Sequence, residues 1–174
     1  SNYTANFSMR PAQGHEIGVN FFSSSGKSDY DGKADMVSDQ GVSSYSMYSR
    51  NKLHSLWTST IRLGRSTDTT KNYKNSTRTT EFRTDQDQIS WQNDIKLPIG
   101  TALLAAEYLN QKVDSTTAYS EDERSVRSLL AGWTGSLDNH RFQINLRRDD
   151  NSQFGGKTTG AATYGYQLTS AWRG

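Results

Sequence analysis

Residues 2–10 read Asn-Tyr-Thr-Ala-Asn-Phe-Ser-Met-Arg, with apolar and polar positions in strict alternation. Tyr3, Ala5, Phe7 and Met9 fall on one face, and Asn2, Thr4, Asn6, Ser8 and Arg10 on the other. Period two is the signature of a strand with two unlike faces. The pattern recurs along the chain. Ile17, Val19 and Phe21 alternate with polar or small residues, as do Trp57, Ile61 and Leu63, and Ile89, Trp91 and Ile95. So do Phe142, Ile144 and Leu146, and Ala162, Tyr164, Tyr166 and Leu168. Three further segments, 43–50, 101–111 and 124–136, alternate less cleanly, because Tyr48, Leu103 and Leu130 add apolar bulk to the other face. The reading is all-β: about nine antiparallel strands of about 9–11 residues, the length of a tilted transmembrane β-strand.

The connections sort by length. Short ones are expected at Pro11–Gly14, Asn51–Ser55, Leu97–Gly100 and Asp138–His140. Long polar ones are expected at Ser24–Val42, Thr67–Thr80, Val113–Glu123 and Asn151–Ala161. Short periplasmic turns alternating with long extracellular loops are the pattern of an outer-membrane barrel. A soluble β-sandwich also alternates faces, but it buries more aliphatic residues.

Composition agrees with one apolar face per strand. Hydrophobic residues are 32% of the chain, against about 45–50% including Gly for an ordinary soluble domain. A sheet with lipid outside and water inside needs apolar residues on one side only. The longest apolar run, Ala102 to Ala106, is far short of the roughly 20 residues of a membrane helix. There is no Cys, so Cys ligands and Cys nucleophiles are excluded. A net charge of +2 with interspersed signs gives no nucleic-acid footprint. His15, His54 and His140 all fall in or beside short turns, where they do not converge, and no resident metal or cofactor is expected. Trp57, Trp91, Tyr108, Trp133, Tyr3 and Tyr164 are candidates for interfacial aromatic girdles.

Residues 147–156 read Arg-Arg-Asp-Asp-Asn-Ser-Gln-Phe-Gly-Gly. Arg-x-Asp followed by a polar stretch and Phe-Gly, late in a barrel, resembles the TonB-dependent outer-membrane transporters. The string Asp149-Asp150-Asn151-Ser152-Gln153-Phe154-Gly155 is most similar to the cobalamin-type members. So are Tyr48-Ser49-Arg50-Asn51-Lys52, Trp57-Thr58-Ser59-Thr60-Ile61 and the stretch 83–94. The resemblance implies a plugged barrel of about 22 strands in a Gram-negative outer membrane. It implies uptake of cobalamin or a similar large chelate, energised by TonB through an N-terminal plug. On this reading residues 1–174 are an internal portion of the barrel domain, with plug and terminal strands outside the sequence. Odd strand count and termini on opposite sides point the same way.

The candidate ligand contacts are Tyr30, Tyr73, Arg147, Asp149, Asn151 and Phe154. Tyr30 and Tyr73 lie in the first two long connections, where exposed aromatics suit an amphipathic ligand. Arg147 and Asp149 are two apart on the lumenal face; they either touch plug or ligand or form a structural ion pair in a polar lumen. Phe154 before Gly155 and Gly156 either covers the barrel mouth or belongs to ordinary turn chemistry. Arg62, Gln92, Gln143 and Arg147 are the lumenal groups expected to grip a plug. Asp29, Asp31, Asp35 and Asp39 cluster in the first connection, but their spacing is not that of an EF-hand. No paired-carboxylate or Ser/His/Asp arrangement is present, so no enzymatic activity is expected. A siderophore receptor of the same family and a small non-transporting barrel are the alternatives.

Overall fold

The computed structural model describes residues 1–30, 36–116 and 122–167, with the backbone alone at Tyr30. They form nine strands: β1 (Asn2–Ala12), β2 (His15–Tyr30), β3 (Met36–His54), β4 (Trp57–Lys74), β5 (Thr77–Leu97), β6 (Gly100–Ser115), β7 (Glu123–Leu137), β8 (His140–Asn151) and β9 (Gly155–Tyr166). Every strand pairs antiparallel with its sequence neighbour in one sheet, ordered β1 to β9. Among the described residues β1 does not pair with β9.

Two-residue turns at Gln13–Gly14, Ser55–Leu56, Pro98–Ile99 and Asp138–Asn139 join the strands at one end. These match the expected short connections. The opposite end differs from expectation, because the polar stretches read as long loops are largely strand. Asn75 and Ser76, with φ of 49° and 62°, close β4 onto β5 in a two-residue hairpin turn. Thr67–Thr80 is therefore ladder, and its threonines are β-branched residues that suit a pleated sheet. Likewise β2 and β3 run to Tyr30 and from Met36, and β9 starts at Gly155. Strands are 11 to 21 residues long, against the expected 9–11. Polarity there marks a ladder standing in water.

No hydrophobic side chain among the described residues is buried; the buried polar ones are Ser38, Ser59, Thr60, Asn93 and Ser128. This is the inverse of a soluble domain, and among the described residues no second sheet covers the apolar face. That face is continuous across the ladder: Phe7, Val19, Met47, Leu63, Ile89 and Tyr108 form one cross-strand row. Each is at least 39% exposed. Only hydrocarbon makes such a surface favourable, and the burial it needs is supplied by lipid.

The register shows how the strands sit in that lipid. The next row runs Met9, Ile17, Ser49, Ile61, Trp91, Ala106, Leu129, Arg148. In β1 the apolar set Tyr3–Met9 is centred on residue 6, three residues to the hairpin side of this row. In β8 the set Phe142–Leu146 is centred on residue 144, four residues to the turn side. The apolar band thus drops seven residues over seven strand-to-strand steps, or one residue per step. With a rise of about 3.3 Å and a strand spacing of about 4.8 Å, that is a tilt of about 35°. Membrane barrels tilt by about 35–45°. A 25 Å apolar band then takes about 30 Å of strand, or about nine residues. On β5 those nine centre near Gln92, so residues 77–86 stand beyond the membrane.

Polar groups on the apolar face are hidden in pairs. Trp57 Nε1 donates to Asn93 Oδ1 at 2.9 Å, and Trp91 Nε1 donates to Ser59 Oγ at 2.9 Å. Ser59 and Asn93 are opposite each other, and an indole from each strand lies across the pair. Trp91 is therefore mid-band and belongs to no girdle, contrary to expectation. Trp133, Phe142, His140, Tyr164 and Tyr166 do cluster near the short-turn end, with His140 Nδ1 2.8 Å from Tyr164 Oη. Phe21 and Tyr45, centroids 5.4 Å apart, sit on the hairpin side.

Candidate functional site

Among the described residues the polar face carries two clusters built on an arginine and a carboxylate. The larger spans β6, β7 and β8, because register sets Glu107, Ser128 and Asp149 in one row with Arg147 one row below. Arg147 Nε donates to both oxygens of Asp149 at 2.8 and 3.1 Å, Nη1 to Glu107 Oε2 at 3.0 Å, and Nη2 to Ser128 Oγ at 2.8 Å. Ser128 in turn donates to Asp149 Oδ1. Every nitrogen of the guanidinium is thereby engaged, and three strands are tied by charge-assisted bonds. The set holds one cation and two carboxylates, so its net charge is negative.

The smaller cluster lies on β1–β3. Arg10 Nε and Tyr48 Oη donate to the two oxygens of Glu16 at 2.9 and 2.7 Å. Gly18 lies opposite Tyr48, and a Cβ on Gly18 would sit 2.4 Å from the Tyr48 ring. The ring lies flat on the glycine backbone. That explains why Tyr48 broke the alternation: its apolar surface covers a glycine, and its hydroxyl faces the lumen. Between the clusters Gln92 donates to Asp94 at 3.1 Å. Arg62 and Gln143 make no hydrogen bond or ion pair among the described residues and are exposed to the lumen.

The candidate ligand contacts do not form one site. Arg147 and Asp149 are bound to each other and to Glu107 and Ser128. Asn151, on the same face, spends its Oδ1 on the backbone N–H of Gln153 and Phe154 at 2.9 and 3.3 Å. It shapes the β8–β9 turn in the manner of an Asx turn. That turn presents Phe154 with 79% of its surface exposed. Tyr73 stands at the tip of the β4–β5 hairpin, half-buried, paired in register with Val37 and Arg78. It is four strands from β8, about 19 Å along the sheet. The Tyr30 side chain, Asp31 and Asp35 lie outside the described residues. No group of three metal-ligating side chains occurs among the described residues. Glu107 is 40 residues from Arg147 in the chain, and only the β6–β8 register brings the two together.

Beyond the membrane the β4–β5 hairpin carries its own network. Arg83 donates to both oxygens of Asp85 at 2.9 and 3.1 Å, and Thr67 Oγ1 donates to Asp85 Oδ1 at 2.6 Å. The Arg83 guanidinium, with the Thr67 hydroxyl, holds the Asp85 carboxyl below its ordinary range.

No protein-family model matches the chain. The vitamin B12 transporter BtuB of Photobacterium profundum is 25% identical over 178 residues, covering 98% of this chain and 29% of that protein. The crystal structure of the siderophore receptor PirA from Pseudomonas aeruginosa superposes with a TM-score of 0.77 at 14% identity, over 97% of this chain and 30% of that one. Both likenesses support a barrel of the TonB-dependent outer-membrane receptor type. The chain spans under a third of the length of the relatives it matches. Its short-turn end is then periplasmic and its hairpin end extracellular, with the apolar face to lipid and the polar clusters to the lumen. Both relatives are named for transport or reception of a ligand, not for catalysis.

Proposed function

We propose that this barrel wall serves a receptor that takes up cobalamin across the outer membrane. The observation that carries the reading is the 25% identity to a vitamin B12 transporter along nearly the whole chain. The extracellular hairpins stand well beyond the lipid and form one side of a vestibule. Phe154, on the exposed β8–β9 turn, is the aromatic contact best placed for a large amphipathic ligand, whereas Tyr73 shares the outward face of Ile61 and Leu63 and contributes only at the rim. Arg147, Asp149, Glu107 and Ser128 brace the wall below them. Arg62 and Gln143, which make no hydrogen bond or ion pair among the described residues, face the space in which a plug domain would lie. TonB acts through that plug.

The likeness in fold to a siderophore receptor supports a second reading, uptake of an iron chelate through the same wall. Equilibrium binding to the full-length receptor separates them, with cyanocobalamin titrated in the presence and absence of ferric siderophores. Saturable cobalamin binding that siderophores do not displace supports the proposal. Saturable siderophore binding with none for cobalamin replaces it by the second reading.

A further inference from the structure

We propose that the lipid-facing side of β7 and β8 holds a phosphorylated lipid headgroup of the outer leaflet between Arg127 and Arg148. Both arginines are on the outward face, in the same alternation as Leu129 and Leu146, not on the lumenal face with Arg147. Arg127 faces Asp150 across the ladder, and Arg148 faces Leu129, so the two arginines are diagonal neighbours. Such positions lie about 7–8 Å apart, a span that one phosphate can bridge. Both side chains belong to exposed residues, and neither makes an ion pair or hydrogen bond among the described residues. Asp150, the nearest carboxylate, joins neither in an ion pair.

Height places them at the headgroups. The membrane window of about nine residues, centred near residue 144 on β8 and 132 on β7, ends close to residues 148 and 128. Arg148 leans further outward. Its Nη2 lies over Gly156, 3.5 Å from where a Cβ would stand, one row to the extracellular side of its own partner Thr158. A cation at the edge of hydrocarbon takes this course to reach polar surroundings.

Directly below is a shallow groove lined by Trp91, Tyr108 and Leu129, with Arg127, Arg148 and Asp150 at its rim. Acyl chains fit the apolar floor and an anion fits the rim. Unpaired guanidinium groups are strong, geometrically specific phosphate ligands. Elsewhere at this level the outward face neutralises itself, as where Arg65 pairs with Asp87 at 3.7 Å. At β7–β8 Arg127 and Arg148 outnumber the one carboxylate, Asp150, and neither forms an ion pair among the described residues. The inference rests on the membrane orientation and not on the identity of the transported ligand.

The test uses the full-length receptor in nonionic detergent, stripped of lipid and titrated with bis-phosphorylated lipid A, with binding read by native mass spectrometry. Dephosphorylated lipid A and inorganic phosphate are the comparison probes. Wild type should prefer the phosphorylated lipid, and the Arg127→Gln/Arg148→Gln variant should bind it about thirtyfold less well. Asp150→Asn removes the rim carboxylate and should tighten binding; it also stands in where the double variant fails to fold. Equal binding by wild type and the double variant, equal binding of the dephosphorylated lipid, or no gain with Asp150→Asn overturns the proposal. Displacement of the lipid by inorganic phosphate makes this a free-anion site and also overturns it.

Discussion

Gly100 opens β6 with φ of +102°, a conformation that L side chains rarely adopt. A Cβ there would lie 2.1 Å from Thr134 O, 2.6 Å from Gly135 Cα and 2.9 Å from Thr134 C. All three atoms are backbone of β7, so no rotamer change relieves the contact; the β6–β7 ladder must separate at its periplasmic end. Strain at such a φ costs of order 1–3 kcal/mol, and overpacking about 1–3 more. Gly100→Ala should therefore destabilise the folded barrel by about 2–6 kcal/mol. Gly41→Ala is the control, since nothing lies within 4 Å of its Cβ position and its φ is not positive; the exchange should change stability by less than about 1 kcal/mol. Urea titration of the full-length receptor folded in vesicles, followed by heat-modifiable gel mobility, measures both. With a denaturant slope of about 2 kcal/mol/M, a loss of about 4 kcal/mol lowers the midpoint by about 2 M. A Gly100→Ala midpoint equal to that of Gly41→Ala would refute the steric reasoning.

Arg147→Ala leaves Glu107 and Asp149, 28% and 30% exposed, without their shared cation. After discounting for screening at this partly exposed site, about 1–3 kcal/mol of stability should be lost, and Asp149→Asn in the same background should recover part of it. A double-mutant cycle reads this, and additive losses count against the cluster. Asp85 has a folded pKa below its unfolded value, so its stabilisation of the β4–β5 hairpin is present above about pH 4 and is lost as pH falls through the folded pKa. Thermal melts of wild type and Asp85→Asn should differ at about pH 7 and converge in acid; a gap that persists there contradicts the assignment. Phe154→Ala should weaken ligand binding by about tenfold with little change in the urea midpoint, since the residue is 79% exposed. Unchanged affinity removes Phe154 from the ligand contacts.

Alternation along the chain was enough to assign the lipid-facing side of the cleanly patterned strands. Alternation is local, and a residue's parity is set by its own neighbours in the chain; Phe7, Leu63 and Ile144 are where parity puts them. The four periplasmic turns were legible for the same reason, being brief interruptions of a strong pattern. The extracellular strands were not, because threonine and charged residues look alike in a loop and in a ladder standing in water. Register was also beyond the sequence, and most of the chemistry follows from it. Glu107, Ser128 and Asp149 are 21 residues apart at each step, and only the pairing of β6, β7 and β8 sets them in one row beside a single guanidinium. The same pairing lowers the apolar band by one residue per strand, which is the tilt, and leaves Arg127 and Arg148 together at the edge of the lipid. Parity is a property of one strand, whereas tilt, clusters and rims belong to the sheet.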